Sequence, residues 1–183
     1  SSVGCFHSGN GGSSDQVVAD FLGLTPGNKY YIRVYGKANN NSRCNIGLCL
    51  RTPPPPPAND ECVGAIEVPV NNDGNCGLTL TSNTGSASQS QPACVGNLAR
   101  DVWYKFVATS ATHRLTISPV SYANLVVQTF IGNCGALLPL NCIYPSGLNE
   151  PIITVMSNLT IGQTYYFRIY DRFGNGPNLN FNI

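Results

Sequence analysis

Charge is what this sequence has least of. Only 10% of its 183 residues are charged and the formal net charge is +1, against roughly 25% charged residues in an average soluble domain. No basic field points toward nucleic acid, and no acidic field points toward cations or basic partners. Lysine occurs only at Lys29, Lys37 and Lys105, and histidine only at His7 and His113. No C-x-x-C pair is present, so zinc-finger and thioredoxin readings lack their spacing. No apolar run approaches the roughly 18 residues of a membrane span. Ser1 opens the chain without a basic region and apolar stretch of signal-peptide type, so a mature or excised piece of a secreted protein is expected. There is no G-x-S-x-G elbow, no H-E-x-x-H and no phosphate loop. The nine acids are scattered, whereas a glycosidase needs two carboxylates in one cleft. The expectation is a chain without catalytic activity, without nucleic-acid partners and without membrane insertion.

Polarity comes instead from Asn, Ser, Thr and Gly, a composition typical of extracellular β proteins. Eight cysteines then point to a disulfide framework in an oxidising compartment. Period-two alternation recurs along the chain: Tyr30, Ile32 and Val34; Ile46, Leu48 and Leu50; Val102, Tyr104 and Phe106; Leu115 and Ile117. NLVVQTFIG, residues 124–132, is apolar on both faces and reads as a central strand covered on both sides. IITV, TYYFRIY and NFNI complete the set, and no stretch carries a capped helical stripe. The pattern predicts an all-β, antiparallel, jelly-roll-like β-sandwich.

One phrase is written twice. GLTPGNKYYIRVYG at residues 23–36 and NLTIGQTYYFRIYD at residues 158–171 agree at seven of fourteen positions, 135 residues apart. Between them stands RTPPPPPAND, whose five prolines favour an extended polyproline spacer. The expected organisation is therefore a tandem repeat: closing strands of a preceding copy in residues 1–52, a polyproline linker at 53–58, and a nearly complete sandwich in 59–183. At the same offset Ile46 and Leu48 fall on Phe181 and Ile183. With a two-residue slip, Cys5 falls on Cys142.

Cys134 and Cys142 flank GALLPLN, so a disulfide closing that short loop is expected, with Cys76–Cys94 as the next pair. Cys5, Cys44, Cys49 and Cys62 remain. Cys5–Cys44 with Cys49–Cys62 would use every thiol, and partners in a longer chain are an equal alternative. Tyr31, Arg33 and Tyr35 share one strand face, as do Tyr166, Arg168 and Tyr170. Such faces suit sugar stacking, but recurrence in both copies favours packing, with Arg stems over Tyr rings. Trp103, alone of its kind, reads as a core anchor. His113 reads as a surface residue before a strand. Asp60, Glu61 and Asp101 are the candidate calcium ligands, though no D-x-D-x-D-G loop accompanies them; no other cofactor is expected. Asn40-Asn41-Ser42 and Asn158-Leu159-Thr160 match the glycosylation sequon, by accident if the protein is bacterial.

PANDECVGAIEVPV, DVWYKFVA, VVQTFIGNCGALLPLNC and NLTIGQTYYFRIY together resemble a repeated module of large type IX-exported, gliding-associated bacterial surface proteins. The module is similar to the pre-peptidase C-terminal β-sandwich domains. The resemblance covers residues 58–183, with residues 19–57 as the tail of a neighbouring copy. It implies a non-catalytic, secreted or cell-surface module in an adhesin or stalk, with neighbouring repeats as its first partners and surface glycans or other proteins as further ones. The alternative is a carbohydrate- or substrate-binding accessory module of a secreted peptidase or glycoside hydrolase. A third reading is a structural subunit whose edge strands pair between chains. Motifs of this kind identify a module, and fold alone does not fix activity.

Overall fold

The computed structural model describes residues 5, 21, 24–35, 47–50 and 55–183, apart from 73, 78, 79, 86, 98, 99, 121, 122 and 175–178. The chain divides into two units, Ser1–Leu50 and Arg51–Ile183. Regular structure among the described residues lies in the second: β1 (Ile66–Glu67), β2 (Thr81–Asn83), β3 (Asp101–Val107), β4 (Thr112–Pro119), β5 (Leu125–Asn133), β6 (Ala136–Ile143), β7 (Ile152–Ser157), β8 (Thr164–Asp171) and β9 (Asn180–Asn182). The one helical element described is a 3-10 turn at Cys62–Gly64.

These strands form two sheets, one in the order β1-β3-β8-β5-β6 and one in the order β2-β9-β4-β7. Pairing is antiparallel except between β1 and β3, which run parallel. Alternation sets the core. Val102, Tyr104 and Phe106 of β3 stand opposite Ile169, Phe167 and Tyr165 of β8. All six face Ile117, Ile152, Met156 and Phe181 of the second sheet. Tyr104 stacks on Phe167 at 5.4 Å between centroids and meets Phe181 edge-on at 6.2 Å. Burial of this apolar surface, at roughly 25 cal/mol per Å², is the main force holding the sheets together.

The strand expected at 124–132 is β5, covered on both faces. GALLPLN, read as a stapled loop, is instead most of β6, an edge strand. Pro139 lacks a backbone donor and is tolerated there because the outer edge has no ladder to supply.

In the first unit no strand is assigned among the described residues, although the sequence predicts one at 30–35 and another through 46–50. A strand is held by exchanging backbone hydrogen bonds with at least one neighbouring strand, and none is assigned among the described residues of this unit. Tyr31 is 93% exposed there. Of the linker 53–58, Pro53 and Pro54 lie outside the described residues, and Pro55–Pro57 carry no regular structure.

Candidate functional site: a covered arginine face and an open lateral cleft

The outward residues of β8 are Tyr166, Arg168 and Tyr170. Register places Trp103 and Gln128 on either side of Arg168, and Asp101 and Val126 on either side of Tyr170. The platform in Tyr166, Arg168 and Tyr170 is thus brought together with Trp103, but it is not open. Arg168, Tyr170 and Trp103 are all fully buried, and only Tyr166 is part-exposed.

What covers them is chain without regular structure, residues 88–97, together with the turn at Cys62. Arg168 donates through Nη1 to Asp101 Oδ2 at 3.0 Å and to the Gln91 carbonyl at 3.0 Å. Nε and Nη2 donate to Gln128 Oε1 at 3.1 and 2.7 Å, and Nη2 also donates to the Pro92 carbonyl. A buried guanidinium is tolerable only when its fork of donors is used in this way. Its carbon also lies 5.7 Å from the Trp103 ring, 5.8 Å from Phe130 and 5.5 Å from Tyr170. Asp101 accepts in turn from the Ser90 amide at 2.9 Å and from its hydroxyl, which also accepts from Trp103 Nε1 at 2.8 Å. The Tyr170 hydroxyl donates to the Val95 carbonyl at 3.1 Å and accepts from the amides of Cys94 and Val95.

Two disulfides hold the cover down. Cys62 joins Cys134 with Cα atoms 5.5 Å apart, and Cys94 joins Cys142 with Cα atoms 6.1 Å apart. This corrects the expected Cys134–Cys142 and Cys76–Cys94 pairings, and Cys49–Cys62 with them. Cys134 lies in the turn after β5, and Cys142 sits eight residues on, inside β6. At ~3.3 Å per strand residue they are about 25 Å apart, far beyond disulfide reach. Cys5, Cys49 and Cys76 are free and exposed, and Cys44 lies outside the described residues.

The calcium candidates serve the same cover. Asp60 accepts from the Ser88 amide and hydroxyl, and Asp101 is committed to Ser90 and Arg168. Glu61 is exposed, and its carboxyl is raised above the usual range by partial desolvation first and by the charges of Asp60 and Asp101 after it. Among the described residues no three His, Cys, Asp or Glu side chains are grouped to hold a metal ion. His113 is half-buried, edge-on to Phe106, with Nε2 accepting from the amides of Thr109 and Ser110. His7, Asn40 and Asn41 lie outside the described residues.

An opening lies elsewhere. Both sheets end on the same flank, at β6 and β7, and between these edges runs a cleft of about 410 Å³. Ile131, Met156, Leu159 and Tyr165 form its apolar part, and Asn141, Ser157 and Asn158 supply amides and a hydroxyl. No Asp, Glu, Lys, Arg or His lines it, so a neutral ligand with hydroxyl groups suits it better than an ion. Asn141 and Ser157 carried no signal in the sequence, since the cleft arises only from where the sheets stop.

Tyr31, Arg33 and Tyr35 are exposed, with the Arg33 guanidinium 5.3 Å from the Tyr35 ring. The turns that open the two copies of the repeated phrase are alike. The Thr25 amide donates to the Tyr30 hydroxyl at 2.8 Å, and the Thr160 amide to the Tyr165 hydroxyl at 3.0 Å. Asn28 closes its turn on the Thr25 carbonyl, as Gln163 does on that of Thr160. The turn glycines, Gly27 and Gly162, have φ of 84° and 82°, a conformation costly for other residues.

Two facing sheets, a disulfide-fastened cover and a lateral cleft between the sheet edges define a β-sandwich module. The model of the galactose binding domain-like family associated with type IX secretion proteins matches residues 58–183, and the chain belongs to that family. Comparison with curated proteins and with solved structures gave no match.

Proposed function

We propose that the chain is a non-catalytic part of a tandem β-sandwich array in a large secreted or cell-surface protein, acting as a stalk or in adhesion. The repeated phrase carries the reading: the same residues build the same turn, with the same tyrosine-to-amide bond, in both units. Between the copies the sequence places five consecutive prolines at 53–57, a composition that favours a stiff spacer. Membership of a family associated with type IX secretion, and two disulfides, support a location outside the cell. Sedimentation velocity on the protein as its host secretes it tests the reading. An elongated particle with the mass of several modules is expected, and a compact particle with the mass of this chain alone contradicts it.

The cleft between β6 and β7 favours a second reading, a carbohydrate-binding accessory module of a secreted hydrolase. Its uncharged lining and the galactose-binding-like family both support it. Titration of galactose into the chain, with Asn141→Ala as the control, separates it from the first.

A further inference from the structure

Residues 24–35 repeat the turn and the outward anchoring residues that place β8 in the middle of its sheet. Leu159 is buried, Gly162 turns the chain, Tyr165 caps the turn, and Arg168 and Tyr170 anchor the outward face. The first copy retains Leu24, Gly27, Tyr30, Arg33 and Tyr35 at the same offsets. Its backbone makes the same turn, and Arg33 already lies over Tyr35 as Arg168 lies over Tyr170, at 5.3 and 5.5 Å. The surroundings differ. β8 is flanked by β3 and β5 along its whole length, whereas Tyr30, Ile32 and Val34, counterparts of core residues Tyr165, Phe167 and Ile169, stand 43%, 46% and 52% exposed.

We propose that residues 24–35 are the middle strand of a second sheet of this kind, and that they dock between β3-type and β5-type strands of a like module. This rests on the repeat reading above. The chemistry of the partner follows from the register of β8. One flanking strand presents an aromatic residue opposite Arg33 and a carboxylate two residues before it, as Trp103 and Asp101 do for Arg168. The other presents an amide opposite Arg33, as Gln128 does. An isolated buried arginine would be too costly, so the partner must supply both the charge and the acceptor. A glycan offers no ladder of amides and carbonyls for strand pairing and does not fit.

The test asks whether the first phrase can do the work of the second inside the full chain. Ile161→Pro, Gln163→Asn, Thr164→Lys, Phe167→Ile and Ile169→Val together write residues 24–35 over residues 159–170. The substituted chain is expected to melt in one cooperative transition, with a midpoint within roughly 15 °C of the parent. It is also expected to keep its dependence on Arg168, so that adding Arg168→Met abolishes the transition or lowers it steeply. Loss of the transition overturns the proposal if Phe167→Ile alone melts cooperatively. If Phe167→Ile alone unfolds the chain, the other four substitutions are read together against the same expectation. A chain that melts but ignores Arg168→Met also overturns it. The array reading is judged separately, by the mass and shape of the secreted protein, so the two can fail independently.

Discussion

Arg168 and Asp101 lie 67 residues apart in the chain and meet at 3.0 Å with side chains no more than 1% exposed. The pair joins β8 to β3 on the outward face and orders the cover above it through Ser90. Breaking one half of such a pair strands the other in a dry site. Asp101→Asn and Arg168→Met are each expected to cost about 3–5 kcal/mol. Together they are expected to cost clearly less than their sum, a coupling that denaturant titration of the three variants measures.

The cover depends on its fastenings. The Cys94–Cys142 bridge closes a separation of 48 residues and holds residues 88–97 over Trp103 and Tyr170. Replacing both cysteines with serine is expected to cost about 2–5 kcal/mol. Trp103, the only tryptophan, reports the change directly. Its emission is expected to move to longer wavelength, and acrylamide to quench it more strongly, once the cover loosens.

Tyr104 is fully buried, and among the described residues its hydroxyl has no hydrogen-bond partner. Burial raises its pKa, and Ser82 and Asn59 oppose the rise weakly, from positions short of hydrogen-bond geometry. With the folded pKa above the unfolded one, the neutral phenol's contribution is complete below about pH 10. It is lost as pH climbs from there through the folded value. Tyr104→Phe is therefore expected to lose less stability in alkali than the parent. At neutral pH it is expected to be unchanged or about 1 kcal/mol more stable, since no bond is given up. Paired melts at pH 7 and pH 11 check both points.

Gly162 offers a cleaner measure of backbone cost. A Cβ there would meet nothing within 4 Å, so only its φ of +82° resists substitution. Gly162→Ala is expected to cost about 1–2 kcal/mol, and Gly162→Asn less, as read from thermal melts.

Much of the sandwich was legible because alternation is local. Val102, Tyr104 and Phe106 announce β3, and TYYFRIY announces β8, without reference to any other segment. β6 was hidden because GALLPLN, set between two cysteines, read as a loop closed by them, and an edge strand shows no buried face to correct that impression. The disulfides were illegible for a different reason. Cys94 belongs to a segment with no periodicity, and only the folded sheet shows that this segment crosses the outward face and reaches β6. The fold also decides what the shared Tyr–Arg–Tyr face does. In β8, Arg168 and Tyr170 lie beneath residues 88–97, whereas at Arg33 and Tyr35 the same side chains stand exposed. Composition alone cannot separate a covered anchor from an open platform.

Arg168, Trp103 and Tyr170 lie beneath residues 88–97, so the face that suits sugar stacking is closed, and the role proposed for the chain is structural rather than sugar-binding. A glycan array probed with the intact chain tests this most directly. No glycan is expected to be retained in a saturable manner, by the parent or by Asn141→Ala. Saturable binding of one glycan class that Asn141→Ala abolishes, with the melting temperature unchanged, would contradict it and make the cleft between β6 and β7 a receptor site.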